Sequence, residues 1–191
     1  MKICRIVDGR RLLLLALLVL LSIPARSQHY AVTTNVADYA RFGTLNAGAS
    51  AALSRRLSVY AGLKYNPFLF REGTEEPLSA RQRLCQAGVR FWPWNVYSGW
   101  WFSGGVQYQE YNVGGIVSPE TREGDRYGAG LAAGYSYMLH PHLNLDFGIG
   151  VWGGLDRFTV YSCPVCGLTT ETGEKTFILP NDLILALVYV F

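Results

Sequence analysis

Along most of this chain apolar residues recur at every second position. Leu143, Leu145, Phe147, Ile149 and Val151 are interleaved with Asn144, Asp146, Gly148 and Gly150, the period of a strand with two unlike faces. Tyr127, Ala129, Leu131, Ala133, Tyr135 and Tyr137 alternate in the same way with Gly128, Gly130, Ala132, Gly134 and Ser136. So do Leu57, Val59, Ala61, Leu63 and Tyr65 with Ser58, Tyr60, Gly62, Lys64 and Asn66. Leu45 to Leu53 repeats the pattern with Asn46, Gly48 and Ser50 on the second face. Trp100, Phe102, Val106 and Tyr108 oppose Trp101, Ser103, Gly105, Gln107 and Gln109. Counting from a first strand near Tyr30 to Asp38 to a last from Leu183 to Phe191 gives about eight strands.

The second face decides what kind of sheet this is. A soluble barrel also alternates, but its apolar face points inward and its solvent face carries many Lys, Glu and Thr. Here the second face is mostly Gly, Ala, Ser and Asn with few charges, which suits the crowded interior of a narrow barrel whose apolar face meets hydrocarbon. Connections alternate short and long, as membrane barrels require. Ser54-Arg55-Arg56, Pro93 to Ser98 and Leu139 to His142 are short; Phe68 to Ala80, Val113 to Asp125 and Asp156 to Pro180 are long and collect much of the charge. The predicted fold is therefore all-β, a transmembrane antiparallel up-and-down β-barrel with an even strand number and both termini on the periplasmic side.

Residues 1–27 read as a cleaved signal peptide, with 28–191 as the barrel domain. Lys2, Arg5, Arg10 and Arg11 precede an apolar run from Leu12 to Leu21, too short for the roughly 20 residues of a spanning helix. Ala25-Arg26-Ser27 offers small residues for cleavage before Gln28. Five of the 17 basic residues and one of the 14 acidic ones lie in this leader. What remains has a slight acidic excess, so the basic character of the full sequence gives no argument for a nucleic-acid partner.

Candidate chemistry is sparse. Lys64, Arg90, Gln107, Gln109 and Asp146 fall on the interior face, where charges withdrawn from bulk water need partners; a polar plug is predicted. Trp92, Trp94, Tyr97, Trp100 and Trp101 bracket one short turn and are expected to form a periplasmic aromatic girdle at headgroup level. Cys163-Pro164-Val165-Cys166 could hold a metal or act in redox chemistry, but a second thiol pair is lacking; a structural disulfide between Cys163 and Cys166 in an outer loop is the expectation. Cys85 falls on the apolar face of the fourth strand. No Gly-x-Ser-x-Gly, His-Glu-x-x-His or phosphate-binding loop is present, and His29, His140 and His142 read as turn polarity. A non-enzymatic protein with no cofactor and no metal is expected. Tyr189 and the terminal Phe191, preceded by alternating apolar residues, resemble the signal read by the outer-membrane barrel assembly machinery.

Several short motifs carry a wider resemblance. They are Thr34-Asn35, Tyr65-Asn66-Pro67, Tyr111-Asn112-Val113-Gly114, Gly128-Ala129-Gly130-Leu131 with Gly134-Tyr135, Gly148-Ile149-Gly150, Cys163 with Cys166-Gly167, and Leu187-Val188-Tyr189. From Thr34 to Phe191 the sequence resembles a family of Bacteroidota outer-membrane proteins catalogued as domain of unknown function 3575. The family's Gly-Pro-Thr-Lys-like step before the final strand stands here as Leu179-Pro180-Asn181-Asp182. The resemblance implies no established activity. It implies a cell-surface context near fimbrial or adhesin-type proteins. The expected location is the bacterial outer membrane. The expected partners are outer-membrane lipid, the assembly machinery and a fimbrial or other surface protein met by the outer loops. A narrow pore or small-ligand barrel, and a soluble secreted binding barrel, are the alternatives.

Overall fold

The computed structural model describes residues 29–70, 78–114, 121–161 and 169–191. The expected signal peptide and the Cys163–Cys166 pair lie outside the described residues. Strands β1 (Tyr30–Asn35), β2 (Leu45–Ser54), β3 (Leu57–Asn66), β4 (Leu69–Phe70), β5 (Leu78–Phe91), β6 (Gly99–Gly114), β7 (Thr121–His140), β8 (Leu143–Tyr161) and β9 (Thr169–Val190) follow in order, with one short helix, α1 (Val36–Ala40), after β1. All pairings are antiparallel. The sheet order is β3-β2-β1-β9-β8-β7-β6-β5-β4, and β3 also pairs with β5. That last pairing closes an eight-stranded barrel, with the two-residue β4 as an extra strip along β5. Closure leaves no free strand edge around the end where β1 meets β9, whereas the part of β9 before Ala186 is paired only with β8 among the described residues.

Alternation puts the faces where the residue pattern predicts. Outward positions are the exposed ones: Leu131, Ile149 and Leu183 are each 69% accessible. Inward neighbours such as Ser58, Asn144 and Asp146 are buried. The cross-strand pair Gly134 and Gly148 shows why small residues line the interior. A Cβ on Gly148 would stand 2.8 Å from the indole of Trp101, and one on Gly134 would collide with the same ring and with the Phe147 carbonyl.

Several boundaries differ from the sequence reading. The first strand ends at Asn35 rather than Asp38, because Asn35 turns to cap α1, its side chain accepting from the Ala37 N–H, a standard helix start. The three long connections are much shorter than expected at the level of backbone pairing: β6 runs to Gly114, β7 starts at Thr121, β8 runs to Tyr161 and β9 starts at Thr169. These segments keep the two-residue period, but their outward positions become Glu110, Glu123, Asp125, Arg157 and Glu174, so charge was mistaken for loop. The result is one tall wall, β6 to β9, beside a short wall, β1 to β3. Finally, Leu179-Pro180-Asn181-Asp182 lies within β9, where Ile149 pairs with Leu183 but Val151 with Pro180. Two residues of β9 there oppose one of β8, a bulge that accommodates a proline with no N–H to donate.

The turn after β5 folds into the barrel at the end carrying Tyr30 and Phe191, hereafter the near end. Tyr97 adopts φ +62, a left-handed conformation costly for a side-chain-bearing residue. Its carbonyl accepts from Asn144 Nδ2 at 2.6 Å, and its hydroxyl donates to the His29 carbonyl at 3.3 Å. Ala31, Trp92, Tyr97, Trp101, Val188 and Val190 form the buried cluster that fills this end.

The occluded lumen and its polar network

The near-end plug corrects the expected girdle. Trp92, Tyr97 and Trp101 point inward and are 1%, 3% and 0% exposed, whereas Trp94 and Trp100 face outward at 59% and 50%. Strand parity explains the split: Trp101 shares the face of Ser103 and Gln107, and Trp92 that of Arg90. Trp92 Nε1 donates to Ser58 Oγ at 3.0 Å, which satisfies the buried indole N–H. Trp92 and Tyr97 meet edge to face at 5.8 Å.

Directly above the plug, Arg90 from β5 pairs with Asp146 from β8 at 2.9 Å across the lumen. Its guanidinium lies 4.1 Å from the ring centroid of Trp101, with Trp92 and Tyr60 at 5.5 and 5.8 Å. The arginine is thus neutralised by one carboxylate and flanked by three rings, an arrangement that holds a cation largely withdrawn from bulk water, its side chain being 20% exposed. A cavity of about 110 Å³ remains beside it, lined by Tyr60, Lys64, Gln86, Arg90 and Asp146 among others.

The five residues predicted as one interior network all face inward, but they belong to separate clusters. Arg90 and Asp146 pair with each other. Lys64 instead pairs with Asp38 of α1, Nζ to Oδ2 3.0 Å, both side chains being under 10% exposed; this contact ties the helix down over the short wall. Gln109 donates to Gln82, which donates to Thr44, and Thr44 also accepts from Asn66. Gln107 is buried between these levels.

A third charged cluster escaped the sequence reading. Arg126 of β7 and Asp156 of β8 pair at 3.2 Å, and the Tyr111 hydroxyl donates to Asp156 at 2.7 Å. Arg126 also lies 3.8 Å from the Tyr111 ring centroid. Burial, and then the hydrogen bond to Asp156, push the Tyr111 phenol up to about 12, so it remains a donor at any ordinary pH. The missed signal was parity: Arg126 continues the inward set of Gly128 to Ser136, and Asp156 that of Asn144 to Gly154. Asp38 was missed because it was placed in a strand.

At the chain end, Tyr189 is outward and partly exposed, and its ring contacts Phe191 at 5.0 Å edge to face. Among the described residues no group of three or more His, Cys, Asp or Glu is placed to hold a metal ion. The interior is built from charge pairs, amide chains and edge-to-face rings, and the indole N–H of Trp101 and the hydroxyl of Ser136 are buried there without a hydrogen-bond partner among the described residues.

Over residues 13–191 the chain matches the family described as protein of unknown function, DUF3575. It belongs to that family. No curated protein and no solved structure matches the chain. For this DUF3575 member, the barrel's own geometry therefore carries the functional argument.

Proposed function

We propose that this DUF3575 protein is a non-enzymatic bacterial outer-membrane barrel that displays its tall wall at the cell surface to contact an envelope or fimbria-type partner. The observation that carries the reading is the outward belt. Leu63, Val106, Leu131, Ile149 and Leu183 stand 53–69% exposed on the outside, while ion pairs and amides fill the middle. Water around such a belt is unfavourable; hydrocarbon is not. On β7 the belt runs from Tyr127 to Tyr137, a tilted span of about 25 Å, the height of a barrel's apolar band. Above it the outward face turns to Asp125, Glu123, Arg157 and Glu174, which supports an orientation with the far end outside and the termini in the periplasm.

Beyond the belt, β6 to β9 continue about six residues, or roughly 20 Å, as a free-standing curved sheet. That is the surface available to a partner. A narrow pore or small-ligand barrel is the second reading, favoured by the polar lumen; the fully buried Trp101 and the small cavity favour a closed one. Fractionation tests the first point: extraction only with detergent, with heat-modifiable mobility, is expected, and recovery as a water-soluble monomer would overturn the membrane reading. Mild crosslinking in native membranes followed by purification is expected to retain a constant surface partner. Steady single-channel conductance with no companion would favour the pore.

A further inference from the structure

The near end carries a feature that neither the plug nor the tall wall uses. The β2–β3 turn and the β5–β6 turn lie side by side there and form an open notch of about 670 Å³ lined by Ser54, Arg55, Arg56, Trp94 and Asn95. We propose that this notch binds the phosphate of an anionic phospholipid headgroup in the inner leaflet. The proposal rests on the membrane reading above.

Four observations support it. First, the notch is positive without compensation. Arg55 and Arg56 are both exposed, and the near-end turns at 55–56, 92–98 and 141–142 contain no Asp or Glu. Asp146, on the strand above the last of these turns, is 2% exposed and already paired with Arg90. The Phe191 terminus is attached to β1, where its N–H donates to the Tyr30 carbonyl, and β2 and β1 separate it from β3. Second, the backbone bearing the two arginines is fixed. Val96 N–H donates to the Arg55 carbonyl at 2.8 Å and Trp92 N–H to the Arg56 carbonyl at 2.9 Å, while Arg56 N–H donates to Ser54 Oγ at 3.3 Å. The backbone frame of the site is thus set before any ligand arrives. Third, Trp94 packs against a neighbouring backbone although 59% exposed. Its ring lies against Gly99, whose φ is +75 and where a Cβ would come within 2.9 Å of ring carbon Cε3. Fourth, the notch adjoins the outward belt. Leu53 immediately precedes it on β2 at 63% exposure and Phe91 on β5 at 47%.

The chemistry follows from these parts. Two guanidinium groups offer forked donors matched to phosphate oxygens, and an indole at the rim of an apolar belt takes the headgroup level. A soluble anion would satisfy the arginines alone. Only a lipid would also use Leu53 and Phe91, along which its chains would lie.

The test uses the full-length processed barrel in mixed micelles holding equal amounts of phosphatidylglycerol and phosphatidylcholine, with retained lipid counted by native mass spectrometry. Preferential retention of phosphatidylglycerol is expected, falling about tenfold in the Arg55→Gln/Arg56→Gln double variant and less in Trp94→Phe. Heat-modifiable mobility should be unchanged in both, because the staples between the turns are backbone bonds. Equal retention of the two lipids by the native protein would overturn the proposal, as would undiminished retention in the folded double variant. Binding of glycerol 3-phosphate as tightly as the lipid would overturn the lipid assignment. A barrel that folds in micelles yet shows no lipid preference refutes this site alone, whereas a chain soluble without detergent refutes the membrane reading.

Discussion

At the near end the inward positions carry Trp92, Tyr97 and Trp101, packed with Ala31, Val188 and Val190. At the far end the same inward parity of β6 to β8 carries Tyr111, Arg126 and Asp156. Both ends are lined by the same alternation, yet one is sealed by apolar rings and the other is organised by paired charges beneath an open mouth. The difference follows from what each end must exclude. Close-packed rings fill the space beside the Arg90–Asp146 pair and shield it from bulk water at that end, which strengthens the charge attraction. At the mouth, water is at hand, and rings serve as platforms on which cations rest. Lys175 and Arg122 both approach the Phe158 ring there, at 5.2 and 4.4 Å.

Several substitutions would break or sharpen this contrast. The largest effect is expected from Trp101→Ala, which removes a fully buried indole and should cost about 3–5 kcal/mol in urea unfolding followed in detergent. It should also convert an electrically silent barrel into one with measurable conductance. Trp100→Ala, one residue away but facing outward against Tyr135, should cost about 1 kcal/mol and leave conductance unchanged. Asp146→Leu leaves Arg90 without its carboxylate inside the lumen, with an expected loss of about 3–4 kcal/mol. Adding Arg90→Met should recover most of it, and no recovery would show that the pair does not act as a unit. Asp38→Asn weakens the contact between α1 and Lys64, with an expected loss of about 2–3 kcal/mol and faster proteolysis around α1. The smallest change belongs to the outward far-end pair of Arg157 and Glu174, whose side chains are 63% and 46% exposed. Glu174→Gln should leave the unfolding midpoint almost unchanged, and any small difference should vanish at high salt.

The barrel was legible because its signal is local. Two-residue alternation with glycine and serine on one face needs no knowledge of partners, and Ile149 or Leu131 can be placed outward from their neighbours alone. The far ends of β6 to β9 were not legible as strands because hydropathy was the guide, and above the belt hydropathy no longer separates the two faces. Asp125 and Arg126 look alike in sequence, but one faces out and the other pairs with Asp156. The inward residues Lys64, Arg90 and Asp146 were found by parity. Their division into two ion pairs was not, since strand parity fixes a face but not the height at which residues from distant strands meet.

Sequence alone determined the strand period, the face of each residue within the apolar belt and the membership of the DUF3575 family, all properties of short or contiguous segments. Only the closed tertiary structure decided that Lys64 takes Asp38 while Arg90 takes Asp146, and that Trp92, Tyr97 and Trp101 seal the lumen rather than ring its rim. Those choices depend on the curvature and stagger of a cylinder, which bring together residues as far apart in the chain as Arg90 and Asp146, and no local pattern encodes that distance.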